Sequence, residues 1–183
     1  MRIQIGVIGP EKSEYSDCPK KAIILENLAE KLGKLIAENK AVLITGGFDG
    51  TMEACSKGAK ENNGLVVGTP GNVRGSGNRY LDVEIVTNID KGSFISSGML
   101  SSDAIIVIPG GAGTLAEFCM AYRFKKLLIV LKGLNEWYDK IIESGYIDDK
   151  KTARILGVDT PEEAINIALK TIQIEESVNN KGE

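Results

Sequence analysis

Two glycine-rich segments each follow an apolar run and precede a segment with helical character. Residues 45–53 read TGGFDGTME, and residues 109–117 read PGGAGTLAE. Glycine lets the backbone approach a ligand closely. A helix N-terminus presents unpaired N–H groups and a partial positive charge, which together form a common phosphate site. The residues that would bind the ligand are Gly46, Gly47, Gly50 and Thr51 in the first segment and Gly110, Gly111, Gly113 and Thr114 in the second.

The same glycines would also suit tight strand-to-helix turns with no ligand. Two segments with the same order of Gly-Gly and Gly-Thr favour a binding site, because tight turns rarely demand Gly-Thr as well. Neither segment contains GxxxxGK[ST], so a P-loop ATPase is not expected. The first strand-to-helix turn, GVIGP, lacks GxGxxG, so ordinary dinucleotide binding is weakly supported.

Glu117 is the acid that follows the second glycine segment. If Gly113 or Thr114 is the N-cap, Glu117 falls in the first helical turn beside the predicted phosphate site. It either stabilises the helix dipole, by a few tenths to about 1 kcal/mol, or presents a carboxylate to a sugar or base. Glu53 has the matching place in the first segment. The residues alone leave both interpretations open.

The rest of the chain alternates between strand-like and helix-like segments. This alternation predicts an α/β fold, a three-layer doubly wound parallel sheet of Rossmann-like type with helices on both faces. Ligands of such sheets bind beyond the carboxyl ends of the strands, so Gly9, at the end of the first strand, joins the predicted binding set. The predicted strands are 3–9, 41–45, 64–69, 83–88, 104–109 and 126–132, and the predicted helices begin near Pro19 and lie at 51–62, 92–102, 114–125, 135–148 and from Thr160 onwards.

Two helix starts carry specific signals. Pro19 suits the first turn of a helix, with Asp17 or Cys18 near the cap. Thr160, Pro161 and Glu163 form a capping-box pattern for the last helix. Without a linker or charge run inside it, the chain is expected to form one nucleotide-binding domain over residues 1–175, followed by a polar tail at 176–183.

Composition excludes several functions. The 183 residues carry a net charge of −3 and no histidine, so we expect no Ser-His-Asp or Cys-His catalysis, no histidine metal site, and no general affinity for nucleic acid or membranes. The acids lack metal-ligand spacing, so no metal site is expected. The scattered Cys18, Cys55 and Cys119 predict reduced thiols that serve as small, partly buried hydrophobic side chains in a cytoplasmic protein.

The segment PGGAGTLAE closely resembles the PGGxGTxxE signature of the lysine decarboxylase-like proteins, which include the Lonely Guy-type phosphoribohydrolases. TGGFDGTMEA is similar to their GGGxxGLMG loop. The short, histidine-free layout looks most like the molybdenum-cofactor carrier branch, and the resemblance covers roughly residues 3–132. It implies a Rossmann-like fold, a nucleotide-type ligand with its phosphate near the second segment, and Glu117 as the family's catalytic acid.

One departure separates this chain from the hydrolases. They carry an arginine on the helix before the PGG strand, where this sequence reads DKGSFISSGMLSSD and places Phe94. No arginine lies between Arg79 and Arg123. Arg79, or Arg74, from the Gly- and Asn-rich loop 70–82, either replaces it or is a solvated loop side chain. The chain also shows no constellation for a pyridoxal lysine decarboxylase.

Two functions remain. The first is a carrier or binding protein for a nucleotide or molybdopterin-type cofactor. The alternative is a nucleoside 5′-monophosphate phosphoribohydrolase that uses Glu117. A pure interaction scaffold would leave both glycine segments unused. Members of the resembling family commonly dimerise, and helix 112–125 is apolar nearly all round, which predicts a homo-oligomer (dimer or tetramer) unless that surface is buried within one subunit. The apolar residues are Phe118, Met120, Ala121, Tyr122 and Phe124.

Overall fold

The computed structural model describes residues 1–89 and 97–179. Over these ranges seven parallel strands form one sheet in the order β4-β3-β2-β1-β5-β6-β7. The predicted parallel α/β sheet is therefore confirmed. The strands are β1 Gln4–Ile8, β2 Val42–Thr45, β3 Leu65–Gly68, β4 Val83–Glu84, β5 Ala104–Val107, β6 Leu127–Leu131 and β7 Ile155–Val158.

Helices connect the strands and cover both faces of the sheet. Besides a short 3-10 turn at Lys12–Glu14, they are α1 Pro19–Glu38, α2 Thr51–Glu61, α3 Met99–Ser101, α4 Ala112–Arg123, α5 Glu136–Ser144 and α6 Pro161–Asn179. None of the helices in the described ranges is long and apolar enough to cross a membrane.

Two hydrophobic cores lie on opposite faces because side chains alternate along each strand. In β2, Leu43 points to the core shared with α1, α2 and α6, whereas Val42 and Ile44 point to the core shared with α4 and α5. The near-continuous apolar strands predicted from the sequence follow from this burial on both sides.

The order of the strands places a switch point at the centre of the sheet. After β1 the chain builds β2, β3 and β4 on one side and then returns to pair β5 with the other side of β1. The loops that leave β1 and β5 therefore diverge from adjacent strand ends, which is where ligands of doubly wound sheets bind. Gly9 follows β1, and the PGG segment follows β5.

Both predicted helix starts are confirmed. Pro19 is the first residue of α1, and Cys18 is its N-cap. At α6, the Glu163 N–H donates to Thr160 Oγ1 over 3.2 Å. The Glu163 carboxylate in turn accepts from the Asp159 N–H over 2.9 Å, one residue earlier than in a standard capping box.

Several elements differ from prediction. β7 was not predicted, because Gly157 interrupts its short apolar run; a side chain at Gly157 would overlap Ile142 of α5. β4 has only two residues of the predicted 83–88, and α6 continues past residue 175 to Asn179. Of the predicted helix 92–102, residues 92–96 lie outside the described residues, and α3 is short.

The cysteine prediction is wrong at two of three positions. Cys55 of α2 is buried in the hydrophobic core shared with α1, as a small hydrophobic side chain would be. Cys18 and Cys119 are exposed free thiols. They lie at the N-cap of α1 and on the outward side of α4, where helix geometry rather than residue type decides exposure.

Candidate functional site

A cavity of about 250 Å³ lies beyond the carboxyl ends of β1, β2 and β5. It brings together five of the predicted site residues, Gly9, Gly46, Gly113, Thr114 and Glu117. Five further lining residues were not predicted, namely Glu11, Glu14, Phe48, Met52 and Ala116. The cavity therefore lies at the switch point of the sheet and uses both glycine segments.

The helix after the second glycine segment begins earlier than predicted. Its N-cap is Gly111 and its first residue Ala112, whereas the sequence suggested Gly113 or Thr114 as the cap. Gly113 and Thr114 therefore lie inside the first turn of α4. Glu117 lies in the second turn, so it is not the dipole-stabilising first-turn acid that the sequence allowed.

Thr114 is the least expected feature of this helix terminus. Its side chain is only 3% exposed, yet its hydroxyl has no hydrogen-bond partner among the described residues. Gly110 covers it, since any Cβ at Gly110 would overlap the hydroxyl. A buried, unpartnered hydroxyl costs about 1–3 kcal/mol, so a polar group that reached it would recover that cost.

Glu14 supplies a carboxylate to the same helix terminus. From the turn that follows β1, its Oε2 accepts the backbone N–H of Gly111 over 2.5 Å. A carboxylate at a helix N-terminus is favourable because of the partial positive charge there. One backbone donor of the predicted phosphate site is therefore already satisfied from within the chain.

Glu117 carries an altered acidity. Burial, followed by the nearby carboxylates of Glu11 and Glu14, raises its pKa from 4.5 to about 8. Each effect disfavours the charged form. At neutral pH Glu117 is therefore mainly a neutral carboxylic acid, which can donate a hydrogen bond or a proton.

The first glycine segment, unlike the second, makes close contacts with the chain that follows β1. Gly50 has φ +67°, and a Cβ there would lie 2.5 Å from the Lys12 backbone nitrogen. Thr51 donates its hydroxyl to the Pro10 carbonyl over 2.8 Å, and its N–H donates to the same oxygen over 3.2 Å. Gly50 and Thr51, both predicted to bind ligand, pack the start of α2 against residues 10–12 and are not among the residues that line the cavity.

The loop 70–82 is held to the first glycine segment by Asn78. Its N–H and side-chain amide donate to the Gly47 carbonyl over 2.8 and 3.1 Å, and the amide also donates to the Phe48 carbonyl over 3.0 Å. Gly47 itself has φ +82°. The positive φ, together with the Gly68 Cα only 3.2 Å from where a Cβ would lie, explains why Gly47 is a glycine, and Gly47 is not among the residues that line the cavity.

The structure does not bring Arg79 into the cavity. Its guanidinium donates to the Tyr80 hydroxyl over 2.7 Å and lies 4.9 Å from the centre of that ring. Arg74 is exposed. Phe94, at the position of the hydrolase arginine, lies outside the described residues. Arg79 is therefore an exposed side chain stacked on its neighbour and is not among the residues that line the two cavities.

A second cavity of about 410 Å³ adjoins the first. The two share Glu11 and Phe48, and the second adds Asp49, Glu53 and Asn78. Among the residues that the structure describes, neither lysine nor arginine lines either cavity. The composite site is acidic, and its favourable features for an anion are confined to the start of α4.

Glu11 and Glu14 could have been suspected from the sequence. They follow Gly9-Pro10 directly at the end of β1, in the segment EKSE that resembled an ordinary loop. The rule that ligands bind beyond the strand next to the switch point applies to that loop as much as to the glycine segments. Phe48 and Met52 carried no such signal.

Comparisons with known proteins agree with this architecture. The family model of the SLOG cluster4 family matches residues 2–165. The cytokinin riboside 5′-monophosphate phosphoribohydrolase of Mycobacterium tuberculosis is 28% identical over 165 residues, covering 80% of this chain and 86% of that protein.

Two solved structures are similar over nearly the whole chain. The molybdenum cofactor binding protein of Rippkaea orientalis superposes with a TM-score of 0.79 at 29% identity, covering 94% of this chain and 98% of that one. The molybdenum cofactor carrier protein of Chlamydomonas reinhardtii superposes with a TM-score of 0.77 at 27% identity, covering 95% and 99%.

Proposed function

Because the chain belongs to the SLOG cluster4 family, we propose that it binds a phosphorylated small molecule at the α4 cavity and serves as a carrier or binding protein. The ligand is a nucleotide or a molybdopterin-type cofactor. The buried, unpartnered Thr114 hydroxyl at the start of α4 is the observation that carries this proposal. A phosphate oxygen beside a helix N-terminus would satisfy it.

The glycines of the second segment support a phosphate in this place. A Cβ added at Gly113 would meet no atom within 4 Å, so the backbone there faces open space. Gly110 must lack a side chain for Thr114 to keep its position. An oxyanion could therefore approach the first turn of α4 without displacing side-chain atoms other than those of Glu14.

The second cavity supports a ring attached to that phosphate. Small-molecule sites commonly enclose about 300–1,000 Å³, more than the 250 Å³ of the first cavity alone. Phe48 lines both cavities and can pack against a flat ring, and the carboxylates of Asp49 and Glu53 can accept ring N–H groups. Purines and pterins both offer such donors.

The names of the structurally similar proteins support a pterin cofactor as one possible ligand. Both solved relatives described above are named for the molybdenum cofactor. A pterin with a terminal phosphate fits the pairing of a ring cavity with a helix N-terminus. We propose it as a bound cargo on equal terms with a nucleoside monophosphate.

The direct test is a thermal-shift and calorimetric panel of AMP, GMP, IMP and isolated molybdenum cofactor. A phosphorylated ligand should raise the melting temperature, whereas the corresponding nucleoside should not. The proposal fails if no phosphorylated compound binds, or if nucleosides bind as tightly as nucleotides.

Catalysis by Glu117 is a second candidate function. N-glycosidic hydrolysis needs a positioned acid or base, and a carboxyl group with a pKa of about 8 is protonated at neutral pH and can act as that acid. The similarity to a phosphoribohydrolase favours the same activity. Release of ribose 5-phosphate from nucleoside monophosphates, abolished in Glu117→Gln, would support it. Binding without release leaves the carrier.

We also propose a homo-oligomer in the cytoplasm. Phe118, Ala121 and Tyr122 of α4 are buried within the subunit, so the apolar helix alone does not require a partner. Phe124 remains 37% exposed and Trp137 of α5 46% exposed, which leaves apolar surface for one. Light scattering that detects only a 19.7 kDa species would exclude the oligomer.

A further inference from the structure

We propose that Glu14 is a built-in competitor for the anionic group of the ligand, and that it restricts the site to phosphate monoester dianions. This inference rests on the proposed binding of a phosphorylated molecule. It adds a specificity-determining residue on the loop after β1, outside both glycine segments, and defines the charge that a ligand must carry.

The geometry places an internal anion where the ligand anion would bind. Glu14 Oε2 lies 2.5 Å from the Gly111 nitrogen, at the N-cap of α4. A Cβ at Gly111 would lie 2.5 Å from the same oxygen, so the contact depends on a glycine there. The Thr114 hydroxyl, in the same cavity, has no partner among the described residues. The donors at the helix terminus thus include the Gly111 N–H and the Thr114 hydroxyl, and Glu14 satisfies the first of these.

Glu14 can leave without disrupting the core. Its side chain is exposed and extends from the three-residue turn Lys12–Glu14, whose residues include none that is buried. The carboxylate can therefore rotate into solvent when another anion takes the Gly111 N–H. Among the described residues, the carboxylate accepts one hydrogen bond, from the Gly111 N–H at the helix terminus.

Charge decides which anions can make the exchange. Glu11 and Glu14 place two carboxylates at the cavity, beside Glu117, which is mainly neutral because burial raises its pKa to about 8. Expelling Glu14 removes one negative charge, which offsets part of the charge that the ligand brings. A phosphate monoester carries about −1.5 to −2 and three acceptor oxygens, so it can bind the Gly111 N–H and the Thr114 hydroxyl together.

A monoanion has no such advantage. A carboxylate or a phosphate diester brings no more charge than Glu14, while Glu14 benefits from the high effective concentration of a tethered group. The apparent affinity of any ligand falls by the fraction of molecules in which the site is open. If Glu14 occupies the helix terminus in about nine molecules of ten, its removal should tighten binding about tenfold.

The test uses methyl phosphate and dimethyl phosphate as minimal dianionic and monoanionic probes. Binding is followed by the ¹⁵N–¹H signal of Gly111 in the natural protein and in Glu14→Ala. Glu11→Ala is the matched control, because it removes a carboxylate from the same cavity without removing the Gly111 contact. Thermal unfolding of each variant verifies that it is folded.

Methyl phosphate should bind Glu14→Ala about tenfold more tightly than the natural protein. The control should gain only about two- to threefold, from reduced charge repulsion. Dimethyl phosphate should bind the natural protein more weakly than methyl phosphate does, because it brings one charge fewer to the helix terminus, and it too should bind Glu14→Ala about tenfold more tightly. Glu14→Asp, which keeps the charge on a shorter side chain, should resemble Glu14→Ala.

Equal affinities of Glu14→Ala and Glu11→Ala for methyl phosphate would contradict the proposal that Glu14 competes with the ligand. Similar binding of methyl phosphate and dimethyl phosphate to the natural protein would also contradict it. A parallel titration with AMP and GMP separates this failure from that of the proposed function. If nucleotides bind but removal of Glu14 changes nothing, only the competitor is wrong. If no phosphorylated probe binds any variant, both proposals are wrong.

Discussion

The two glycine segments look alike in sequence and have different roles in the structure. In the first, Gly50 and Thr51 are the N-cap and first residue of α2, and Thr51 is bonded to the Pro10 carbonyl. In the second, Gly113 and Thr114 lie inside the first turn of α4, and the Thr114 hydroxyl has no partner among the described residues. One Gly-Thr pair is bonded within the fold, and the other lies where we propose that the ligand binds.

A single residue accounts for much of the difference. Two residues separate Gly-Gly from Gly-Thr in the first segment, Phe48 and Asp49, and only Ala112 does so in the second. The extra residue lets the first loop extend along residues 10–12 before α2 begins, whereas α4 begins almost directly after Gly-Gly. Similar motifs therefore place the same residue types at different helix positions.

The largest effect expected from this comparison is that of Gly50→Ala. A methyl group there would meet the Lys12 backbone nitrogen at a residue with positive φ, and the two penalties should lower the free energy of unfolding by about 3 kcal/mol. Urea denaturation measures this. Gly75→Ala is the matched control, because Gly75 has φ +82° but open space around it. Equal losses in the two variants would mean that the first segment is not closely packed.

A change in pH should act on the second segment through Glu117. The folded-state pKa is about 8 against 4.5 for the free side chain, so the unfolded chain ionises first as pH rises. The free energy of unfolding should therefore fall between about pH 4.5 and pH 8. Replacing Glu117 by Gln should remove the contribution of Glu117 to that fall. The facing carboxylates are Glu11 and Glu14.

Denaturation of the natural protein and of Glu117→Gln at several pH values makes the comparison. The difference in unfolding free energy between them should widen in favour of Glu117→Gln as pH rises through this window. Two curves that run parallel would show that Glu117 ionises as readily in the folded protein as in the unfolded chain.

Replacing each threonine by valine should give effects of opposite sign. Thr114→Val removes an unpartnered buried hydroxyl and should stabilise the fold by about 1 kcal/mol, while it weakens phosphate binding about tenfold or more. Thr51→Val removes a hydrogen bond and should destabilise the fold by about 1 kcal/mol without changing ligand affinity. Melting temperatures with and without AMP measure both.

Such changes correspond to shifts of about 2–4 °C in a protein of this size. If Thr114→Val melts at a lower temperature than the natural protein, its hydroxyl contributes to the fold after all. If Thr51→Val binds AMP more weakly, the two segments share the ligand.

The smallest effect should come from Gly113→Ala. A Cβ at Gly113 meets nothing within 4 Å, and alanine is favoured over glycine in a helix by up to about 1 kcal/mol. Because Gly113 lines the cavity, the more stable variant should show a smaller AMP-induced rise in melting temperature. A loss of stability instead would indicate that the backbone of the first turn of α4 needs glycine.

The parts of the fold that depend on local pattern were predictable. Apolar runs on both faces indicated β1, β2, β3, β5 and β6, and the caps at Pro19 and Thr160 fixed two helix starts. β7 was not predicted because the sequence pattern of the strand is interrupted by Gly157, where a side chain would overlap α5. This requirement for glycine comes from tertiary packing, which the local sequence does not reveal.

The candidate site was predictable only in its location. The rule for doubly wound sheets led to Gly9, Gly46, Gly113, Thr114 and Glu117, which line the cavity. The helix α4 begins at Ala112 with Gly111 as its N-cap, earlier than the sequence suggested, and this places Glu117 in the second turn. The bond from Arg79 to Tyr80 likewise depends on the fold of the loop rather than on its composition.

The hydrogen bond from Gly111 to Glu14 joins residues 97 positions apart in the chain. Beside it, β1 and β5 are held by a register of only four residue pairs, from Ile5 with Ala104 to Ile8 with Val107. This seam is where the two halves of the sheet meet. A molecule bound across it would act as a non-covalent cross-link, so part of its binding energy would hold the halves of the protein together.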